Sequence, residues 1–327
     1  MEIPLLQVQW GNEASAAWGT PVAGAVKGMG IESFELNAIV EAQVAPERRG
    51  SLTPGFISIP NLVGAAGNAQ GVVTYEDLPY WLEMLDGMVV PSGAGPYVRA
   101  WASPGVPVLT GATRIRTQTF LYGNTTDGVY RMPGGVLSKL NIKGNQGEMW
   151  TFAADLLGKT VDVGALAALS DRTVTPVRGV DTVLYIDAWG GTIGTTTIAT
   201  TAFSFELDVD TKRGMKQHLG NLGYSGYTHP ETWEATLKLE LEFNATSKAY
   251  LDAIISGTLF QRQVRIKSTN GTNIVQLDFA GSQGNQPKIF TDKDGVSTVE
   301  VELTALYNPT LADWLKASIT NSVAVLL

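Results

Sequence analysis

Apolar and polar residues alternate in short bursts along most of the chain. The clearest burst, Thr298 to Leu303, sets Val299, Val301 and Leu303 on one side and Thr298, Glu300 and Glu302 on the other. A period of two marks a strand with one buried face. The pattern predicts further strands at Gly71 to Tyr75, Tyr97 to Trp101, Ile115 to Tyr122, Val136 to Lys143 and Glu148 to Leu156. It predicts others at Thr236 to Phe243, Gln263 to Lys267 and Ile274 to Ala280. Two stretches alone read as helices. Leu78, Trp81, Leu82 and Leu85 form an apolar stripe after a possible cap at Asp77 and a first-turn Pro79. Tyr250, Leu251, Ile254 and Ile255 form another after Asn244 or Thr246. Gly87 and Gly257 follow, each suited to a left-handed helix end. Asp294-Gly295 marks a hairpin turn before the last alternating strand. The fold class expected is all-β with minor α.

The chain also repeats itself. Ser33-Phe34-Glu35-Leu36 returns as Ser204-Phe205-Glu206-Leu207, an offset of 171 (33 to 204), and the two helix-ending glycines are 170 apart (87 to 257). Between these marks each copy runs through a glycine-containing loop, a strand and a short helix, so the unit is duplicated. This divides the chain into an N-terminal arm (1–30), a first domain (31–165), a connector (166–194), a second domain (195–308) and a C-terminal segment (309–327). Trp314 and the apolar end Val323 to Leu327 are expected to be tied down on a neighbour, because free ends are seldom so apolar.

Composition narrows the chemistry. Hydrophobic residues make up 44% and charged residues 17% of 327, enough for a core. With no cysteine, disulfides and thiolate sites are excluded. A net charge of −8 disfavours a protein that grips nucleic acid through lysine and arginine. The opening Met1 to Leu6 does not read as a secretory leader, and no apolar run is long enough to span a membrane, so a soluble, unsecreted chain is expected. His218 and His229 are too few for a metal site, and no phosphate loop or dinucleotide fingerprint is present. No catalytic, cofactor-binding or metal-ligating residue is assigned. An enzyme is not expected.

The repeat and its motifs resemble the phage tail tube protein (major tail protein) family of long-tailed siphophages, in the branch with two tandem tube domains. The residues carrying the resemblance are Gly11 to Ala14 with Trp18 to Pro21, Glu41 to Gly50, Val73 to Leu78, Leu85 to Gly87, Leu140 to Lys143 and Met149 to Leu156. The resemblance implies β-sandwich, barrel-forming domains whose strands join neighbouring subunits into a closed β-barrel ring. Two tube units per chain imply a pseudo-hexameric ring of three chains, a homotrimer. It also implies a virion protein assembled in the host bacterial cytoplasm, with tape measure and tail tip or terminator proteins as partners, no cofactor and no membrane. Double-stranded DNA would pass through without specific binding. An acidic lumen would repel phosphates, and Glu35, Glu206, Asp208, Asp210, Glu240 and Glu242, charged residues on expected strands, are the lumen candidates.

A carbohydrate-binding or glycoside-hydrolysing β protein is the competing reading. It would use paired carboxylates and exposed members of the tryptophan set, among them Trp10, Trp18, Trp101, Trp150, Trp189, Trp233 and Trp314.

Overall fold

The computed structural model describes residues 6–14, 18–44, 57–103, 114–198, 201–257, 260–284, 287–293 and 295–327. The expected loop through Arg48-Arg49 and the turn residue Asp294 lie outside the described residues.

The first copy of the repeat contains β3 (Ile31–Val44), β4 (Ser58–Val72), α1 (Leu78–Leu85), β5 (Tyr97–Ala102), β6 (Gln118–Asn124), β7 (Gly128–Asn145), β8 (Thr151–Gly158) and β9 (Asp162–Val163), preceded by β1 (Gln7–Asn12) and β2 (Val26–Lys27). The second contains β10 (Thr182–Ala188), β11 (Ala202–Asp210), β12 (Gly214–Lys216), β13 (Gly226–Thr228), β14 (Glu234–Glu242), α2 (Ala245–Ile255), β15 (Gln261–Asn270), β16 (Asn273–Gln283), β17 (Lys288–Lys293), β18 (Val296–Ala305) and β19 (Leu315–Asn321).

Antiparallel pairing strings eight of these strands into one sheet, β3-β4-β8-β7-β11-β14-β18-β17, running through both copies. Two outer layers cover one face of it. The first is β2-β1-β6-β7-β9, in which the N-terminal half of β7 turns away from the long sheet to pair with β6. The second is β10-β15-β16-β19-β5. Apolar side chains of the covered face, such as Phe34, Ile142, Leu156, Leu207, Leu239 and Val301, make the core with residues of both outer layers and α1. Such alternation buries one face and leaves the other to polar residues.

The duplication is visible in the backbone. The β3–β4 ladder has a bulge between Ile31 and Ser33, and the β11–β14 ladder has one between Ala202 and Ser204, again 171 apart. Phe34 faces Ala69 and Phe205 faces Leu239, so β4 maps onto β14 with an offset of 170 (69 to 239). Ile142 faces Phe152 and Ile289 faces Val299, so β7 and β8 map onto β17 and β18 with an offset of 147. Bulges mark fixed positions in a ladder, and a shared one fixes the alignment of the copies.

Several local expectations change. Gly71 to Tyr75 is the tail of a much longer strand, because β4 pairs along β3 back to Ser58. Asp77 does not cap α1: its carboxylate pairs with Arg172, and Thr74 Oγ1 accepts the Asp77 N–H. All eight residues of α1 are buried, so the helix is covered on every side instead of showing one stripe. Asn244 does cap α2, in a reciprocal box with Ser247, while Ile255 of the expected stripe is exposed. Within 166–194, Thr182–Ala188 forms a strand on β15. The C-terminal segment is held by its own chain: β19 pairs with β16 and β5, Arg99 donates to the Val323 and Ala324 carbonyls at 2.8 and 3.0 Å, and Leu326 is buried.

Candidate functional site: a polar sheet face with two open edges

The face of the long sheet turned away from the core is polar across all eight strands. One row of cross-strand partners runs Glu35, Asn68, Asp155, Lys139, Asp210, Glu234. A second runs Thr151, Lys143, Glu206, Lys238, Glu302, and a third Asn145, Ser204, Glu240, Glu300, Lys288. Asp208 lies between Asn141 and Thr236, and Glu242 faces Thr298. All six acids singled out from the sequence therefore lie on one face of one sheet, brought together by strands from both copies. Acidic side chains predominate on it. Sequence alone did not single out Asp155, or the lysines that break up the acidic field.

Those lysines form specific pairs. Lys143 lies 3.0 Å from Glu206, Lys139 3.2 Å from Asp210, and Lys293 3.3 Å from Glu240. Partial burial works to raise the Glu206 carboxyl, but hydrogen bonds from Lys143 and Asn141 outweigh it and hold the group below its ordinary range. For Asp210 burial also pushes upward, and the Lys212 backbone N–H with the Lys139 and Lys212 side chains wins. Both carboxylates thus stay charged at neutral pH. Glu35, exposed on the outermost strand, has no hydrogen-bond or ion-pair partner among the described residues.

The seam between the copies is the β7–β11 ladder, in which Leu207 faces Ile142 and Glu206 faces Lys143. Trp150 Nε1 donates to Thr182 Oγ1 at 3.0 Å there. Across a second contact, Arg213 of the second copy donates to the Met84, Leu85 and Leu137 carbonyls at 2.7, 2.5 and 2.8 Å. Burial drives the Asp86 carboxyl up to about 7 although Arg213 opposes it, and both its oxygens are buried without a hydrogen-bond partner. Burial, helped by Arg213, drives His229 down to about 4.

The sheet stops at β3 on one side and β17 on the other; within the described residues each has a partner on one edge alone. Two clefts sit at equivalent places in the copies. One of about 340 Å³ is lined by Ala202 to Phe205 and walled by Gly144, Asn145, Gln146 and Trp150 across the seam. The other, about 350 Å³, is lined by Ile31 to Glu35 and Tyr122, and no β7–β8 type turn walls it.

Among the described residues no cluster of three His, Asp or Glu could hold a metal ion. None of the eight tryptophans is exposed. No helix is long and apolar enough to cross a membrane.

A family model described as "Phage tail tube protein" matches residues 6–305. No curated protein matches the chain.

Proposed function

The chain belongs to the phage tail tube protein family, and from that premise we propose that three copies close into a ring whose stacked repeats form a DNA-conducting tube with an acidic lumen. One observation carries the reading: an eight-stranded sheet that, among the described residues, ends in two unpaired edges, with a core on one face and mostly acidic polar residues on the other. An open edge invites pairing with another chain, and closure removes it. Three chains of eight strands make a 24-stranded barrel. Strands about 4.8 Å apart and tilted about 40° give it a backbone diameter of about 48 Å, leaving a channel wide enough for a duplex.

On this reading the polar face lines the channel and the outer layers face outward. Ionised carboxylates such as Glu206 and Asp210 keep phosphates from exchanging counterions with the wall, so DNA slides. Within the virion, the tape measure protein would occupy the channel before DNA, and tail tip and terminator proteins would close the ends after assembly in the host cytoplasm. The protein acts by contact, without turnover.

Negative-stain microscopy of the purified chain tests the proposal: rings or tubes are expected. A monodisperse monomer that binds glycans would replace it with the carbohydrate reading.

A further inference from the structure

The duplicated chain contains its own template for the contact between chains. The seam ladder joins the second copy's first strand, β11, to the first copy's β7. By the offsets of 171 and 147 seen in the ladders, β11 is the counterpart of β3, and the C-terminal half of β7 is the counterpart of β17. The two open edges are therefore the two halves of a joint that each chain already makes once internally. We infer that β3 of one chain docks antiparallel on β17 of the next in the register of the seam, placing Leu36 opposite Ile289 and Asn37 opposite Lys288. This rests on the reading that copies of this chain assemble with one another.

The register follows by substitution. Leu207 faces Ile142 and Asp208 faces Asn141 in the seam; subtracting 171 from the first member and adding 147 to the second gives Leu36 with Ile289 and Asn37 with Lys288. Both pairs precede the bulge at Phe290, where β17 departs from β7, so the correspondence holds where it is used.

Three features of the free edges fit it. Leu36 lies on the apolar face of β3, and Ile289 is 43% exposed, although Ile142, its counterpart, is 1% exposed under the seam. Asn141 donates to Glu206 at 2.9 Å across the seam; the equivalent pair is Lys288 with Glu35, a cation and an anion that are both exposed at open edges. The cleft at Ile31 to Glu35 lacks the wall that the β7–β8 turn gives its counterpart. The neighbour's β17–β18 pair, docked in this register, would bring its end to that open side.

Because the chain has no cysteine, introduced thiols report the contact cleanly. Directly opposed antiparallel residues have Cα atoms about 4.5–5.5 Å apart, within disulfide reach. Assembled Asn37→Cys/Lys288→Cys protein, oxidised and run under denaturing non-reducing conditions, is expected to yield a covalent closed ring. Asn37→Cys/Thr291→Cys, two positions out of register, should stay largely monomeric. In parallel, Glu35→Lys and Lys288→Glu should each raise the concentration needed for assembly at least tenfold, and their combination should restore it. Tubes that cross-link through the out-of-register pair, or through neither, would overturn this register while leaving tube formation intact. A wild-type chain that forms no rings or tubes would overturn the assembly reading and the inference together.

Discussion

The Trp150 indole stands edge-on to the Phe205 ring, centroids 4.8 Å apart and planes at 75°, across the seam between the two copies. Trp150 is fully buried there. Trp150→Ala should therefore leave a cavity under the joint and cost about 3–5 kcal/mol. Chemical denaturation would read this as a lower midpoint. Little change would mean that the seam is not a packed part of the core.

The Arg213 guanidinium ties the second copy to the end of α1 through the Met84 and Leu85 carbonyls and to β7 through the Leu137 carbonyl. Arg213→Met strands those acceptors and the buried Asp86, a loss of about 3–5 kcal/mol. Adding Asp86→Asn should recover part of it. A double variant whose stability equals the sum of the two single changes, measured by the same denaturation, would contradict the coupling.

Asp86 also sets a pH dependence. Its folded pKa of about 7 lies above the ordinary 3.8, so the folded state holds the proton longer and stability falls as pH rises from about 4 through 7. Asp86→Asn removes that fall. The variant should gain on wild type between pH 5 and pH 8 by on the order of 2–4 kcal/mol, read as a difference in Tm.

His229 acts in the opposite sense. Its folded pKa of about 4 lies below the ordinary 6.5, so its contribution is complete above pH 6.5 and is lost as pH falls toward 4. His229→Gln should flatten the acid limb of the stability curve. An unchanged acid limb would show that the ring is not buried as neutral imidazole.

Much of this was legible in the sequence because strands with one polar face write that face into their alternation. The six acids sit on one sheet because Glu206, Asp208 and Asp210 on β11, and Glu240 and Glu242 on β14, keep a strict period of two. What was missed was set by long-range contacts. Asp77 looked like a cap by local rules, and Arg172, 95 residues away, took its carboxylate. Glu13 was assigned no role of its own, yet it is buried and accepts from the Gly19 and Gly134 N–H groups and from the Thr117 and Thr119 hydroxyls at 2.6–3.1 Å. The strand Thr182–Ala188 was invisible as such because its partner, β15, lies 74–86 residues on (188 to 262 and 182 to 268).

Charge on the polar face should control DNA transit. In the proposed tube, replacing Glu206, Asp208 and Asp210 together by lysine would turn a repelling stretch of wall into one that exchanges counterions with phosphate. Virions carrying it should eject DNA more slowly, with the delay shrinking at high salt, as followed by dye release. Unchanged ejection kinetics would place this face away from the channel.

An image reconstruction of the assembled particle tests the three-chain ring most directly. Three chains per ring are expected, each contributing eight strands to a single closed 24-stranded wall with Glu206 and Asp210 facing the channel. Rings of six chains, or β3 and β17 edges that do not meet between neighbours, would contradict it.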